Sequence, residues 1–351
     1  MQATVAVREA DVRDDDVPSG GGVALLDEVN PADGVALVGD VARTGEAPAG
    51  GGARRRRSGK LWGWLKLAIG VAIVGALVWK LGTGGFVAAL RVIDAADLVA
   101  ALVIGLATTV LCAWRWCLVA RRLGLRLPLG RAVADYYRAL FLNAVLPAGV
   151  LGDVQRAVEH GKEQGDVGAG VRAVVLERLA GQAVVIVAGV AVLLAGPARE
   201  IGLVIVACVA VVALGYLTAR RWIGAGSRWR RTMDDVRNGL LARDAWPGVA
   251  LLSALALAGH ITLFLIAMKA AGATQSAEQL LPIVIVALLA MGLPVNVGGW
   301  GPREGVTALM FAAAGLGAAQ GLTAAVAYGL LGLVASLPGA LMLVRRRERV
   351  A

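Results

Sequence analysis

Ionisable side chains interrupt otherwise apolar stretches at three places in this 351-residue chain. An ionisable residue inside a membrane span costs about 3 kcal/mol or more unless it faces a partner or a cavity. A guanidinium fork matches phosphate geometry, so Arg156 or Arg178 is predicted to hold a phosphate. A buried ion-pair network that only fixes the local structure is the open alternative. The predicted substrate-binding residues are Asp153, Arg156, Glu177, Arg178, Asn296, Arg303 and Glu304.

Two similar Pro/Gly motifs surround most of these residues: LPAGVLGDVQR at 146–156 and LPVNVGGWGPRE at 293–304. Proline and glycine break a helix, and lipid cannot satisfy the backbone groups that such a break exposes. Paired breaks in two halves of a hydrophobic chain indicate a transporter's binding site. The predicted break residues are Pro147, Gly149, Gly152, Pro294, Gly298, Gly299 and Gly301.

The end of the second motif has two readings. Pro302, Arg303 and Glu304 are predicted to open a helix, and a proline followed by an acid is ordinary capping chemistry there. A helix start also offers free N–H groups, which could bind the anionic headgroup of a lipid.

The composition indicates a polytopic membrane protein, because 58% of the residues are hydrophobic, mean hydropathy is +0.71 and only 17% are charged. The arginines lie in short runs beside apolar spans, so anionic lipid headgroups are predicted as their partners and nucleic acid is not. The cysteines and histidines show no disulfide or metal-ligand pattern, and no catalytic set or phosphate loop can be assembled. We therefore predict no metal, cofactor or catalytic residue; the oligomeric state is left open.

The chain is predicted to have two parts. Residues 1–60 read as a disordered acidic tail, since the first 50 carry ten acids against three arginines, and the tail ends in a basic run at 54–60. Residues 61–345 form the transmembrane domain. The predicted spans are 61–81, 98–119, 173–195, 201–219, 248–270 and 321–344.

Loop charges predict the orientation. Arginine-rich segments at 121–131, 220–243 and 345–349 should be cytoplasmic, which places the protein in the inner membrane with both termini inside. Two segments on the same side of the membrane must be separated by an even number of crossings. Residues 132–152 must therefore enter and return from the cytoplasmic side, and residues 280–317 must form either a hairpin from outside or two short crossings. The expected fold is all-α, with six spans and two broken hairpins. The half-repeats 61–195 and 201–344 would have inverted topology.

Three further features are predicted to have structural roles only. Arg115, between Trp114 and Trp116, is expected to snorkel to the interface, and His260 to be a hydrogen-bonded core residue. Residues 229–240 show the spacing of an interfacial amphipathic helix.

The motifs quoted above, with VVLERLAGQ at 174–182 and SLPGALML at 336–343, resemble the lysylphosphatidylglycerol synthase transmembrane-domain family over about 60–345. The resemblance implies a flippase-like module without the transferase found in bifunctional members. It also implies roles for both motifs and for the pair Glu177 and Arg178. Leu151 departs from the family, which usually has glycine there, so a looser first turn is expected.

Three functions follow as hypotheses. The first is a translocator that moves an anionic or modified lipid, such as an aminoacyl-phospholipid or a lipid-linked glycan precursor, between leaflets, with Arg156 and Arg303 near a shared lipid path. No ATP site is found, so movement would be downhill or ion-coupled. The alternatives are an intramembrane lipid-modifying transferase and a scaffold that recruits a lipid synthase through the acidic tail.

Overall fold

The structure is a computed structural model that describes residues 83–146, 149–196, 199–222, 235–237, 239, 242, 244–292 and 301–343. The chain divides into two compact units, 1–58 and 59–351, and all of the described residues lie in the second. Every regular element in this part is a helix, as the sequence predicts. The helices are α1 (Thr83–Val92), α2 (Ala95–Arg122), α3 (Leu129–Val145), α4 (Leu151–Glu163), α5 (Val167–Ala195), α6 (Arg199–Trp222), α7 (Trp246–Ala270), α8 (Ala277–Met291), α9 (Pro302–Ala313) and α10 (Ala318–Ser336).

Four described helices are long and apolar enough to cross a membrane. They are α2, α5, α7 and α10 with its continuation to Leu343. They cover the predicted spans at 98–119, 173–195 and 248–270, and the predicted span 321–344 as far as residue 343, where the described residues end. The predicted span 201–219 lies within α6. The span at 61–81 lies outside the described residues, so the count of six stays a prediction.

The two segments predicted to form hairpins, or for 280–317 two short crossings, each contain a pair of packed short helices: α3 with α4, and α8 with α9. The first is longer than predicted, because the returning leg runs to Glu163 rather than ending near 152. At 1.5 Å per residue, α4 is about 20 Å long, too short to cross a hydrocarbon core of about 30 Å. The segment predicted as an external loop at 82–97 contains α1.

Side-chain caps define several helix starts. Asp94 and Ser276 each form a capping box, with Asp97 and Gln279 respectively, at the starts of α2 and α8. The Asp166 side chain accepts from the backbone N–H of Ala169 at the start of α5. These polar residues lie at the ends of apolar runs, where they satisfy backbone donors that the helix itself leaves unpaired.

Contacts between the two predicted halves come in matched pairs. The long helices α2 and α7 pack against each other at the centre, where Gly259 lies against Thr108. The last span of each half packs on the central helix of the other half: α10 on α2, and α5 on α7. The first helix of each short pair also packs on the last span of the other half: α8 on α5, and α3 on α10. Each of these contacts therefore has a counterpart in which the helices of the two predicted halves have exchanged roles.

Candidate functional site

Glu177, on α5, is the centre of a buried ionic cluster. Its side chain has no solvent exposure. Oε1 accepts from Arg115 Nη2 at 2.5 Å, Arg115 Nε at 3.1 Å and Tyr136 OH at 3.3 Å. Oε2 accepts from Arg156 Nη2 at 2.8 Å. Four charge-assisted or hydroxyl donors offset the desolvation of the carboxylate, which explains how an acid is accommodated within an apolar span.

Arg156, on α4, is enclosed by aromatic rings. Its guanidinium carbon lies 4.6 Å from the centre of the Trp116 ring and 4.4 Å from that of Tyr136. Cation–π contacts of this kind stabilise a desolvated cation by about 2 kcal/mol. Nε donates to Asp153 Oδ1 at 2.9 Å while Nη2 donates to Glu177. Arg156 thus joins the returning hairpin leg to two spans.

Asn143 closes the break between the two hairpin legs. Its side-chain oxygen accepts from the backbone N–H of Gly152 at 2.8 Å, and its nitrogen donates to Asp153 Oδ2 at 2.9 Å. A Cβ at Gly152 would overlap the backbone of Ala139, so only glycine permits this approach of α4 to α3. Gly149 turns the chain at φ +59°. Pro147 lies outside the described residues.

Leu151 is 45% exposed at the first position of α4. The looser turn stays a prediction, because residues 147 and 148 of the turn lie outside the described part of the chain. The crowded position is the next one, Gly152, where this chain keeps glycine.

Arg178 differs from the other arginines of the cluster. Nη2 donates to Asp153 Oδ2 at 2.5 Å, yet 46% of the side chain remains exposed. The exposed part lines a cavity of about 260 Å³ to which both predicted halves contribute. The lining residues are Thr108, Thr109, Cys112 and Arg115 of α2; Tyr136 and Leu140 of α3; Arg178, Gly181, Gln182 and Val185 of α5; Ser253, Ala256, Leu257 and His260 of α7; and Leu288, Met291 and Gly292 at the end of α8.

The described end of the second motif, from Gly301 to Glu304, is linked to the same cavity through Tyr328 and His260. Glu304 accepts from the backbone N–H of Gly301 at 2.6 Å and from Arg303 Nε at 2.9 Å, and Gly301 turns the chain at φ +120°. The Arg303 guanidinium lies 5.0 Å from the Tyr328 ring centre, and the Tyr328 hydroxyl lies 3.1 Å from His260 Nδ1. His260 is therefore hydrogen-bonded, as predicted, and also lines the cavity. Pro294, Asn296, Gly298 and Gly299 lie outside the described residues.

The two motifs occupy equivalent positions in their hairpins. Asp153 is the third residue of α4, and Glu304 is the third residue of α9. Each hairpin packs on the last span of its half at a glycine: Gly170 lies against the Ala157 carbonyl and Gly321 against the Thr307 carbonyl.

The structure brings Asp153, Arg156, Glu177 and Arg178 into one cluster, and places Arg303 and Glu304 in a second group beside Tyr328. The prediction that Arg115 snorkels is wrong. Arg115 is 5% exposed, because Glu177 and Ser253 both accept from it, the latter at 2.9 Å. The helix runs three residues past the predicted end of the span at 119, so Arg115 lies seven residues, or about 10 Å, from the end of α2 and deeper than predicted.

The cavity wall also contains Cys112, Gln182 and Ser253, which the sequence does not single out because they are small or neutral and follow no pattern of their own. Within the described ranges, no group of three His, Cys, Asp or Glu residues could hold a metal ion.

These features define a class: a multi-pass helical membrane protein with pairs of short packed helices, a buried cluster of arginines and carboxylates, and a cavity lined by five of the described helices. The chain belongs to the family described as the lysylphosphatidylglycerol synthase TM region, whose model matches residues 63–339. A comparison with curated proteins gives no match.

Proposed function

We propose that this protein binds the headgroup of an anionic or modified lipid in the cavity and moves the lipid between the two leaflets of the membrane. The observation that carries the proposal is the position of Arg178. Asp153 fixes one edge of its guanidinium, while the rest of the side chain faces a cavity within the bundle. A guanidinium oriented in this way can form two parallel hydrogen bonds to phosphate oxygens.

The position of the cavity supports movement rather than static binding. Its walls come from α2, α3 and α5 of the first half and from α7 and α8 of the second. Rocking of the halves against each other would expose such a cavity to one leaflet and then to the other, as inverted-repeat transporters do. We place both termini in the cytoplasm on the arginine distribution and propose that the two hairpins enter from opposite faces.

A lipid-modifying transferase has less support. The acids that such an enzyme could use as a general base are Glu177, Asp153 and Glu304, and each of these carboxylates accepts from at least one guanidinium. A carboxylate stabilised as an anion in this way is a poor proton acceptor. The scaffold hypothesis depends on the acidic tail, which lies outside the described residues.

Reconstitution tests the proposal. Full-length protein in vesicles that contain fluorescent phosphatidylglycerol should speed its transfer between leaflets, measured by quenching of the outer leaflet. Transfer no faster than in protein-free vesicles contradicts the proposal. Mass spectra of the same lipids distinguish the alternative, because a transferase would produce a new lipid species.

A further inference from the structure

We infer that the cavity selects lipids by net charge: it accepts phosphate headgroups that carry a net negative charge and rejects aminoacylated headgroups. In an aminoacylated phosphatidylglycerol, ammonium groups cancel or exceed the phosphate charge. The inference rests on the proposed headgroup site and names the substrate class of that site. It also runs against the substrate that the family description suggests.

The charge balance of the cluster is the first argument. Arg115, Arg156 and Arg178 contribute three positive charges, whereas Asp153 and Glu177 contribute two negative charges. All five side chains belong to one connected network, so one positive charge is left without a counterion inside it. Within a poorly polarisable interior such a surplus favours binding of an anion.

The location of the surplus is the second argument. Arg156 donates to both carboxylates and is covered by two aromatic rings, and Arg115 donates to Glu177 and Ser253. Arg178 forms an ion pair with Asp153 and has the largest exposed fraction of the three arginines. The unbalanced charge therefore faces the cavity, where a headgroup would lie.

The third argument is the character of the cavity wall. Among the described residues that line it, the formally charged ones are Arg115 and Arg178, and no carboxylate is among them. Glu177 is wholly enclosed and Asp153 accepts from two arginines and Asn143. An ammonium group in this cavity would meet positive charge without a negative partner. The neutral polar side chains of Thr109 and Gln182 suit the hydroxyl groups of an uncharged alcohol.

Native mass spectrometry of the full-length protein tests this selectivity. Equimolar dioctanoyl phosphatidylglycerol and dioctanoyl lysyl-phosphatidylglycerol compete for the same sample, and their different masses separate the two adducts. We expect phosphatidylglycerol adducts to exceed lysyl-phosphatidylglycerol adducts by about tenfold or more, since a like charge nearby costs at least that factor at short range. Equal adducts, or an excess of the lysyl form, overturn the inference.

One isosteric change should reverse the preference without removing any ion pair. Gln182 lies one helical turn after Arg178, so Gln182→Glu places a carboxylate beside the unbalanced guanidinium and in the cavity wall. Lysyl-phosphatidylglycerol adducts should then rise about tenfold relative to phosphatidylglycerol. The matched control is Gln279→Glu, which adds the same charge at the exposed capping box of α8. If Gln182→Glu and the wild-type protein show the same ratio of lysyl-phosphatidylglycerol to phosphatidylglycerol adducts, the inference is overturned.

Transport measurements separate this inference from the proposed function. Selective phosphatidylglycerol binding by a protein that moves no lipid refutes translocation and supports charge selection. Equal transport of both lipids refutes charge selection and supports translocation.

Discussion

Arg178 and Asp153 form a 2.5 Å ion pair that joins the wall of the central cavity to the hairpin formed by α3 and α4. Asp153 also accepts from Arg156 and Asn143, so the hairpin, the buried cluster and the cavity share one carboxylate. A lipid phosphate that binds Arg178 would compete with Asp153 for the same guanidinium. This pairing links occupancy of the cavity to the position of the hairpin.

Glu177→Gln should destabilise the protein strongly. Arg115 and Arg156 would keep their charges while the shared anion is lost, and removing one partner of a buried ion pair costs about 3–5 kcal/mol. We expect a clear fall in thermal unfolding temperature in detergent. Asp244→Asn is the control, because its pair with Arg122 is exposed and such pairs contribute about 1 kcal/mol or less. Equal falls in both variants would contradict the assigned role of Glu177.

Gly152→Ala should disrupt the first hairpin, whereas Leu151→Ala should not. An added methyl group at 152 meets the backbone of Ala139, and overpacking of this kind costs about 1–3 kcal/mol. Leu151 is largely exposed, so its truncation leaves the contact intact. Unfolding temperatures of the two variants check the prediction. Greater loss in Leu151→Ala would show that the turn depends on the leucine.

Arg156→Gln and Arg178→Gln should affect different properties. Loss of Arg156 removes two ion pairs and two cation–π contacts from an enclosed site, so stability should fall by about 3 kcal/mol or more. Loss of Arg178 removes a half-exposed side chain, so stability should change less while lipid affinity falls. Parallel unfolding and lipid-binding titrations measure both. If both variants lose stability and lipid affinity in the same proportion, the two arginines do not have the different roles assigned to them.

The two hairpins should open to opposite sides of the membrane. Leu151 and Gly305 are exposed on the helices after each break, and Gly305 has open space around its Cα. Single cysteines at these positions, in protein whose native cysteines are replaced by serine, should react with an impermeant thiol reagent from opposite faces of oriented vesicles. Labelling of both positions from one face would contradict the inverted repeat.

The sequence predicts much of this architecture, for reasons tied to particular residues. Apolar length marks α2, α5, α7 and α10, and the Leu-Pro breaks mark the ends of α3 and α8. The partners of Glu177 were only partly predictable. Arg156 was named from its neighbouring motif, but Arg115 lies 62 positions away, and its partnership depends on how α2 packs against α5.

The cavity itself could not be predicted, because its walls combine Thr109, Gln182 and Ser253 from separate helices. Such neutral residues are ordinary in apolar helices, and only tertiary packing brings them together. The same packing places Arg178, rather than Arg156, in the wall of the cavity, a choice that the sequence leaves open.

Translocation by the variant Arg178→Gln is the most direct test of the central claim. We predict that vesicles with this variant transfer fluorescent phosphatidylglycerol at least about tenfold more slowly than wild type, since each lost charge-assisted hydrogen bond to phosphate weakens binding by that order. Arg172→Gln is the matched control, because Arg172 lies on the same helix and pairs with Asp235 outside the cavity. Wild-type transfer by Arg178→Gln, at equal amounts of folded protein, would contradict the account.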